Sequence, residues 1–170
     1  MLSLSSKNVF ELLSMNDAIR VIEKTMISVS NDKCVLPLRN VIDVGSSNRL
    51  GIMPGVLSLG GLYGVKVLSL FPENPSKGLS SHIGVVILFN PETGAPAAAI
   101  NADALTAVRT AAATAVATKA LSRMESSKLT IIGTGEQAEA HIEAISLVRN
   151  ITKINIKINH HHQNIYNLVL

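Results

Sequence analysis

The chain has little of several residue types that mark particular classes of protein. Its 170 residues include one cysteine, no tryptophan and 3% aromatic residues. The single Cys34 cannot form a disulfide within the chain, and no partner base is identifiable, so a buried, small apolar role fits it better than that of a nucleophile. The net charge of +3 is not concentrated in runs of Lys or Arg. A nucleic-acid partner is therefore not expected, whereas anionic small molecules remain possible partners.

Long uninterrupted apolar segments are also missing. The alanine-rich residues 95–121 are interrupted by Asp103, Arg109 and Lys119, which excludes an ordinary membrane span, and residues 1–16 lack the pattern of a secretory signal. What is present is 47% apolar and 16% charged residues, a composition typical of a globular chain with one domain, or one domain and part of a second. We expect a soluble, cytoplasmic protein without a membrane partner.

The first part of the chain predicts a short strand and two helices. Residues 2–4 favour a strand, and Ser5 or Ser6 can cap a helix that runs through Leu13. Ser14 followed by Asp17 three residues later is a variant of the capping box, and apolar residues at helical spacing follow it. This pattern predicts an amphipathic helix.

Residues 35–101 predict a largely antiparallel sheet, because short β-rich runs alternate with Gly, Asn, Pro and Ser. The predicted strands are 38–44, 49–53, 65–71, 83–89 and 95–100. The segment Asn90-Pro91-Glu92-Thr93-Gly94 places Pro where a turn needs a fixed φ and Gly where a positive φ is easily adopted. It predicts a hairpin between the last two strands.

The remaining sequence predicts a long helix and a strand-helix-strand unit. Asp103 can cap a helix that ends near Ser122, whose alanines offer a small-residue face for close packing. Residues 129–132 and 151–158 then favour strands, and residues 136–148 favour a helix. The fold class is therefore α/β, with an α+β domain over residues 1–124 and a strand-helix-strand unit of a second domain over residues 125–170.

A glycine motif follows the first strand of this unit. Gly133-Thr134-Gly135-Glu136-Gln137-Ala138 is a GxGxxA pattern that opens a helix. Gly133 permits the sharp turn, Gly135 allows the backbone to approach a pyrophosphate, and the helix N-terminus offers free N–H groups. The pattern indicates a dinucleotide site, although a glycine pair also occurs in ordinary strand-to-helix turns.

The end of the second strand leaves the choice between NAD and NADP open. No acidic residue stands in Lys157-Ile158-Asn159-His160-His161-His162, which argues against strict NAD preference and makes Asn159 and His160 possible neighbours of a phosphate. A solvated polar loop is the alternative. The three histidines lack accompanying ligands at a defined spacing, so no metal site is predicted.

These residues resemble the ornithine cyclodeaminase and mu-crystallin family over nearly the whole chain. The family also includes ketimine and pyrroline-carboxylate reductases and some alanine dehydrogenases. The resemblance is carried by Pro37-Leu38-Arg39, Met53-Pro54, Gly64-Val65-Lys66-Val67, Phe71-Pro72-Glu73-Asn74, Ser81-His82, the turn at 90–96, Leu105-Thr106-Ala107-Val108-Arg109-Thr110-Ala111-Ala112 and the glycine motif.

The resemblance implies a substrate-binding and dimerisation domain followed by an incomplete Rossmann domain, joined by the long helix. It implies that Arg39 and Lys66 bind the substrate carboxylate, that Lys66 is also a catalytic residue, and that Arg109 contacts the substrate as well. The implied residues of the cofactor site, which would bind NAD or NADP, are Ser81, Arg109, Thr110, Gly133, Gly135, Glu136 and Gln137. Arg109 lies in a nearly uncharged helix, and a buried cation without a partner would be costly, so a bound anion is expected if the side chain is buried. The alternative to a bound anion is a structural ion pair with Asp103 or Glu136. We expect these residues to line one cleft.

Two departures from the family separate the possible functions. Gly51 stands where the cyclodeaminase proper has the glutamate that holds the ornithine amine, which favours an amino-acid or imino-acid oxidoreductase over conversion of ornithine to proline and ammonia. The catalytic aspartate of the family would lie beyond Leu170, so we expect a polypeptide of these residues alone to lack turnover. A non-catalytic small-ligand binder and an inactive remnant remain alternatives, and the resemblance implies a homodimer.

Overall fold

The computed structural model describes residues 1–58, 60–157 and the backbone of a strand at 165–169. The chain divides into two compact units, and each combines segments that are distant in sequence. The first unit contains Met1–Leu12 and Thr25–Thr106, and the second contains Leu13–Lys24 and Ala107–Leu170. These units do not follow the predicted boundary after residue 124, so that functional division of the chain stays a prediction.

The N-terminal segments form as predicted. Strand β1 (Leu2–Leu4) precedes helix α1 (Ser6–Leu12), where the Ser5 hydroxyl accepts a hydrogen bond from the Asn8 N–H at 3.3 Å. Helix α2 (Met15–Ser30) follows the Ser14 cap, whose hydroxyl accepts from the Asp17 N–H at 3.2 Å and donates to the Asp17 carboxylate at 2.7 Å. Both predicted caps are confirmed.

Acid is expected to weaken the start of α2. The hydrogen bond from Ser14, and then the charge of Arg20, hold the pKa of Asp17 below its ordinary value. Because the pKa is lowered on folding, the stabilisation is complete above the ordinary aspartate pKa and is lost as the pH falls through the lowered one. Asp17→Asn should therefore lower the Tm at neutral pH, and the difference from the wild type should close in acid. Circular dichroism melts measure this difference, and a gap independent of pH would contradict the prediction.

The first unit is built on a six-stranded sheet with the strand order β1-β6-β5-β4-β3-β2. Strand β1 runs parallel to β6, a pairing that was not predicted, and the other pairs are antiparallel, which confirms the predicted largely antiparallel sheet. The remaining strands are β2 (Asn40–Gly45), β3 (Asn48–Val56), β4 (Tyr63–Leu70), β5 (His82–Phe89) and β6 (Pro96–Asn101). Among the residues of this sheet, Gly51 and Ala98 alone are buried. Its faces therefore have room for further covering structure.

The turn between β5 and β6 confirms the hairpin prediction. The Asn90 side-chain oxygen accepts hydrogen bonds from the N–H groups of Glu92 and Thr93, both at 2.9 Å, and Gly94 has a φ of 72°. Gly94 thus has the positive φ that the sequence predicts, and the Asn90 side chain adds hydrogen bonds within the turn that were not predicted.

Helix α3 (Ala102–Leu121) begins one residue after β6 ends, and Asn101 caps it. The Asn101 side-chain oxygen accepts a hydrogen bond from the Ala104 N–H at 2.9 Å. The predicted cap at Asp103 is therefore wrong. Asn101 still has the extended backbone of β6, which a cap residue needs, whereas Asp103 already lies in the first helical turn.

The second unit contains β7 (Lys128–Ile132), α4 (Gln137–Ser146), β8 (Lys153–Lys157) and β9 (Ile165–Val169), with the strand order β7-β8-β9. Strands β7 and β8 are parallel, as a strand-helix-strand unit requires, and β9 pairs antiparallel with β8. Strand β9 was not predicted from the sequence. The core packs the alanine face of α3 against α2 and α4, through Met15, Ala18, Ile19, Val108, Ala111, Ala112, Ala115 and Ala144. The small side chains allow this close approach, as predicted.

Candidate functional site

The glycine loop between β7 and α4 has the geometry that its sequence predicts. Gly133 adopts a φ of 100°, and its N–H donates to the Lys157 carbonyl at 2.8 Å, which ties the loop to the end of β8. A Cβ at Gly135 would meet no atom within 4 Å. Glu136 precedes α4 without a capping hydrogen bond from its side chain. The loop thus offers open space and a helix N-terminus to an anionic group.

Two buried side-chain oxygens in the second unit fit a bound polar ligand. Thr110 Oγ1 and Gln137 Oε1 are each buried without a hydrogen-bond partner in the described part of the chain. A buried polar atom in a native protein is usually paired with protein, water or ligand. Thr110 and Gln137 both belong to the predicted cofactor site, so the residues present fit a dinucleotide.

A cavity of about 430 Å³ adjoins this loop. Its volume lies within the range of small-molecule sites. The lining combines glycine-loop residues with side chains of α4 and β8: Thr134, Gly135, Glu136, Ala138, Glu139, Ile142 and Ile156. The predicted phosphate neighbours Asn159 and His160, and the rest of the histidine run, lie outside the described residues.

Lys66 of β4 is a half-buried cation beside an apolar cavity in the first unit. Its ammonium donates to the Thr106 hydroxyl at 2.6 Å, which ties the strand to the start of α3. The cavity measures about 500 Å³, and Lys66 is the one charged residue among those that line it, which include Met53, Val86 and Leu88. A single cation in apolar surroundings suits an anionic group on an otherwise apolar ligand.

Two predicted arginines lie in surroundings different from those expected. Arg39 is exposed and precedes β2, so the expectation that it lies on a strand is wrong, because that strand starts two residues later than predicted. Arg109 is exposed on α3, and the described residues include no ion pair between Arg109 and Glu136. Exposure removes the desolvation penalty that would call for a fixed anionic partner, and an ion pair with Asp103 stays a prediction.

The other predicted residues divide between the units. Ser81 is half-buried in the first unit with Arg39 and Lys66, and its hydroxyl lies 2.9 Å from His82 Nδ1. Arg109 and Thr110 belong to the second unit with the glycine loop. The structure thus brings Gly133, Gly135, Glu136 and Gln137 together in one loop, and the convergence of both sets on one cleft stays a prediction.

Cys34 is half-buried, and its sulfur donates to the Leu57 carbonyl at 3.0 Å. Within the described ranges, no three His, Cys, Asp or Glu side chains gather in a way that could hold a metal ion. No helix among those residues has both the length and the apolar character needed to cross a membrane.

A sequence profile of the ornithine cyclodeaminase/mu-crystallin family matches residues 1–167. The chain belongs to this family. The resemblance inferred from the motifs is thereby confirmed, and the α/β fold agrees with it. The match runs through both compact units, including the glycine loop of the second.

The chain is similar to several reductases and dehydrogenases. The chain is 36% identical over 155 residues to a Δ1-pyrroline-2-carboxylate reductase of Bacillus cereus. The aligned residues cover 91% of this chain and 48% of that protein. It superposes with a TM-score of 0.89 on the Thermococcus litoralis Δ1-pyrroline-2-carboxylate reductase in complex with NADH and L-proline, at 39% identity over 95% of this chain and 50% of that one. An archaeal alanine dehydrogenase dimer with bound NAD superposes with a TM-score of 0.87 at 32% identity. The superposition covers 93% of this chain and 48% of that one. The chain thus spans about half the length of the relatives that it matches.

Three polar side chains that form contacts between elements were not predicted from the sequence: Thr106, Thr114 and His141. Thr106 holds the Lys66 ammonium, and His141 on α4 contacts Thr114 on α3. The sequence shows these residues only as polar positions within apolar helices, and their burial, which makes a hydroxyl or imidazole need a partner, is visible only in the structure.

Proposed function

We propose that the protein carrying this chain is a nicotinamide-dinucleotide-dependent oxidoreductase that acts on a small amino or imino acid. The observation that carries the proposal is the glycine loop, with its open space at Gly135, accompanied by the unpartnered buried oxygens of Thr110 and Gln137. The reductase and dehydrogenase relatives described above support the same chemistry. Binding of NADH and of NADPH, followed by fluorescence, tests the cofactor part of the proposal.

The chain's own residues divide the work of the proposed reaction. When bound, the nicotinamide ring exchanges a hydride with the α-carbon of the substrate. The loop N–H groups after β7 bind the pyrophosphate, while Thr110 and Gln137 offer polar atoms to the cofactor. Lys66 binds the substrate carboxylate, assisted by the exposed guanidinium group of Arg39 in the same unit. Apolar residues around Lys66 limit the water that competes for this carboxylate.

Lys66→Met is expected to raise the KM for Δ1-pyrroline-2-carboxylate about 10- to 100-fold, because a charge-assisted hydrogen bond to the carboxylate is lost. The affinity for NADH should stay within about twofold, since Lys66 is not part of the glycine loop. NADH oxidation by the protein carrying this chain, recorded by absorbance, gives the first value, and fluorescence titration gives the second.

Lys77→Met is the matched control, because Lys77 is an exposed lysine on the turn at Asn74–Lys77 and its loss changes the net charge equally. An equal rise in KM for both variants would contradict the role of Lys66. NADH binding with no oxidation of NADH by any imino acid would instead favour a non-catalytic ligand binder.

Gly51 argues against the alternative of a true ornithine cyclodeaminase. It is buried, and a Cβ there would lie 3.4 Å from the Leu68 side chain. The position carries no carboxylate that could bind the distal ammonium of a diamino acid. The proposal therefore favours substrates without a second amine, such as alanine or proline and their imines.

We also propose that the protein is a homodimer that covers one face of the six-stranded sheet. Ile52, Val67 and Val85 are cross-strand neighbours on one face, and each remains half-buried. Apolar faces of this kind are usually covered by further protein. The archaeal alanine dehydrogenase relative is a dimer. Light scattering after size exclusion should give twice the chain mass, and Val67→Asp should shift it to one chain mass.

A further inference from the structure

Four polar residues form a hydrogen-bonded connection between α3 and α4, beside a core of apolar side chains in which alanine is the most frequent residue. His141 Nδ1 lies 2.7 Å from the Gln137 carbonyl oxygen, and His141 Nε2 lies 3.1 Å from Thr114 Oγ1. Thr114 Oγ1 also lies 3.3 Å from the Thr110 carbonyl oxygen. The connection therefore runs from the first residue of α4 to the first half of α3.

The imidazole is the central member of this connection. A carbonyl oxygen only accepts, so His141 Nδ1 carries a proton that it donates to Gln137. In the neutral ring, Nε2 then accepts from the Thr114 hydroxyl, whose alternative acceptor is the more distant Thr110 carbonyl. One side chain thus binds both helices, and neither Thr114 nor His141 belongs to the glycine motif.

The two ends of the connection are the residues with unpartnered oxygens. Thr110 Oγ1 and Gln137 Oε1 are both buried without a hydrogen-bond partner within the described residues. Alanine contacts such as those of Ala111 and Ala144 set how closely the helices approach, but they oppose sliding or rotation only weakly. Directed hydrogen bonds restrict both motions, because they weaken steeply with distance and angle.

We propose that His141, through Thr114, is a positioning residue for the dinucleotide site. It holds the first turn of α4 in register with α3, and so keeps the Gln137 and Thr110 oxygens at the separation that one bound cofactor requires. The inference rests on the proposed cofactor function. A purely structural alternative is that the same bonds only stabilise the packing of the two helices.

The test measures NADH affinity by fluorescence below the Tm of every variant. His141→Phe keeps a ring of similar size and removes both hydrogen bonds, and we expect the Kd to rise about 10-fold, as two neutral hydrogen bonds allow. Thr114→Val keeps the shape and removes one bond, so a rise of about threefold is expected. Thr114→Ser keeps the hydroxyl and should restore the affinity to within about twofold of the wild type.

The double variant separates positioning from packing. Because Thr114 acts through His141, adding Thr114→Val to His141→Phe should raise the Kd little further, which is the non-additivity expected of coupled residues. Lys119→Met is the control: it removes the bonds to Glu23, at 2.9 and 3.0 Å, and weakens the contact between α3 and α2 without touching this connection. Its Kd should remain that of the wild type even if its Tm falls.

Each outcome decides between the possibilities. Unchanged affinity in His141→Phe and Thr114→Val, with NADH still bound by the wild type, overturns the positioning role and leaves the proposed function intact. If the affinity falls in proportion to Tm in every variant, including Lys119→Met, the result supports the packing alternative and overturns the positioning role. Absence of NADH and NADPH binding by the wild type overturns the proposed function and this inference together.

Discussion

Arg149→Ala is expected to lower the free energy of unfolding by about 3 kcal/mol, because several hydrogen bonds to a charged group are lost together. The guanidinium donates from Nη2 to three carbonyls at the end of α3, and from Nε to the Ser122 hydroxyl at 2.9 Å. The last carbonyls of a helix have no partner within it, and they carry the negative end of its dipole. The three carbonyls belong to Thr118, Lys119 and Ser122, at 3.1, 2.9 and 3.0 Å.

Arg123 supplies a control of the same residue type at the same end of α3. Its guanidinium lies 3.8 Å from the Glu125 carboxylate, and its side chain is 85% exposed. Arg123→Ala should therefore change stability by no more than about 0.5 kcal/mol. Arg149→Lys should be intermediate, since one ammonium cannot reach all the carbonyls. Urea unfolding measures all three variants, and equal losses for Arg149→Ala and Arg123→Ala would refute the capping role.

Gly133→Ala is expected to reduce NADH affinity about 10- to 100-fold, the loss expected when the loop no longer presents its N–H groups to a charged pyrophosphate. Gly133 has a φ of 100°, where a side chain introduces strain of about 1 to 2 kcal/mol. Relief of that strain moves the N–H that bonds Lys157 and displaces the loop. Fluorescence titration with NADH gives the affinity, and thermal unfolding gives the stability.

Two other glycines separate the strain of this substitution from its effect on binding. Gly45, the last residue of β2, has a φ of 93°, and a Cβ there meets no atom within 4 Å, as at Gly133. Gly45→Ala should cost similar stability and leave NADH affinity unchanged. Gly135→Ala should leave stability nearly unchanged and reduce NADH affinity, because its Cβ enters the open space where the phosphate is proposed to lie. Equal affinities for Gly45→Ala and Gly135→Ala would argue against the proposed cofactor site.

Features that depend on neighbours in sequence were predicted well. The Ser14 cap, the Asn90 turn and the glycine loop all formed as expected, because each needs a hydrogen bond or a backbone torsion supplied within a few residues. The cap of α3 was misplaced by two residues, since an asparagine at the end of a strand and an aspartate in the first turn are both good cap types. Strand β9 was missed because pairing with β8, and not its local pattern, defines it.

The environment of charged residues could not be derived from the chain. Arg109 stands among alanine and valine in sequence, yet it is exposed, because a helix surrounded by apolar sequence neighbours still has a solvent side. The residues next to Lys66 in sequence do not indicate that it lies beside an apolar cavity. Its cavity is formed by α2, the segment after it, and three strands, so its apolar setting depends on which elements the fold brings together.

The sequence by itself determined the family, the α/β class, the caps of α1 and α2, the turn at Asn90 and the glycine loop, because these features are set by residue types and torsions over short segments. The tertiary structure decided which polar groups meet. Lys66 bonds a residue 40 positions away, and His141 and Arg149 bond residues 27 positions away. Such pairs leave no local pattern, since each partner is satisfied only after separate helices and strands have packed together.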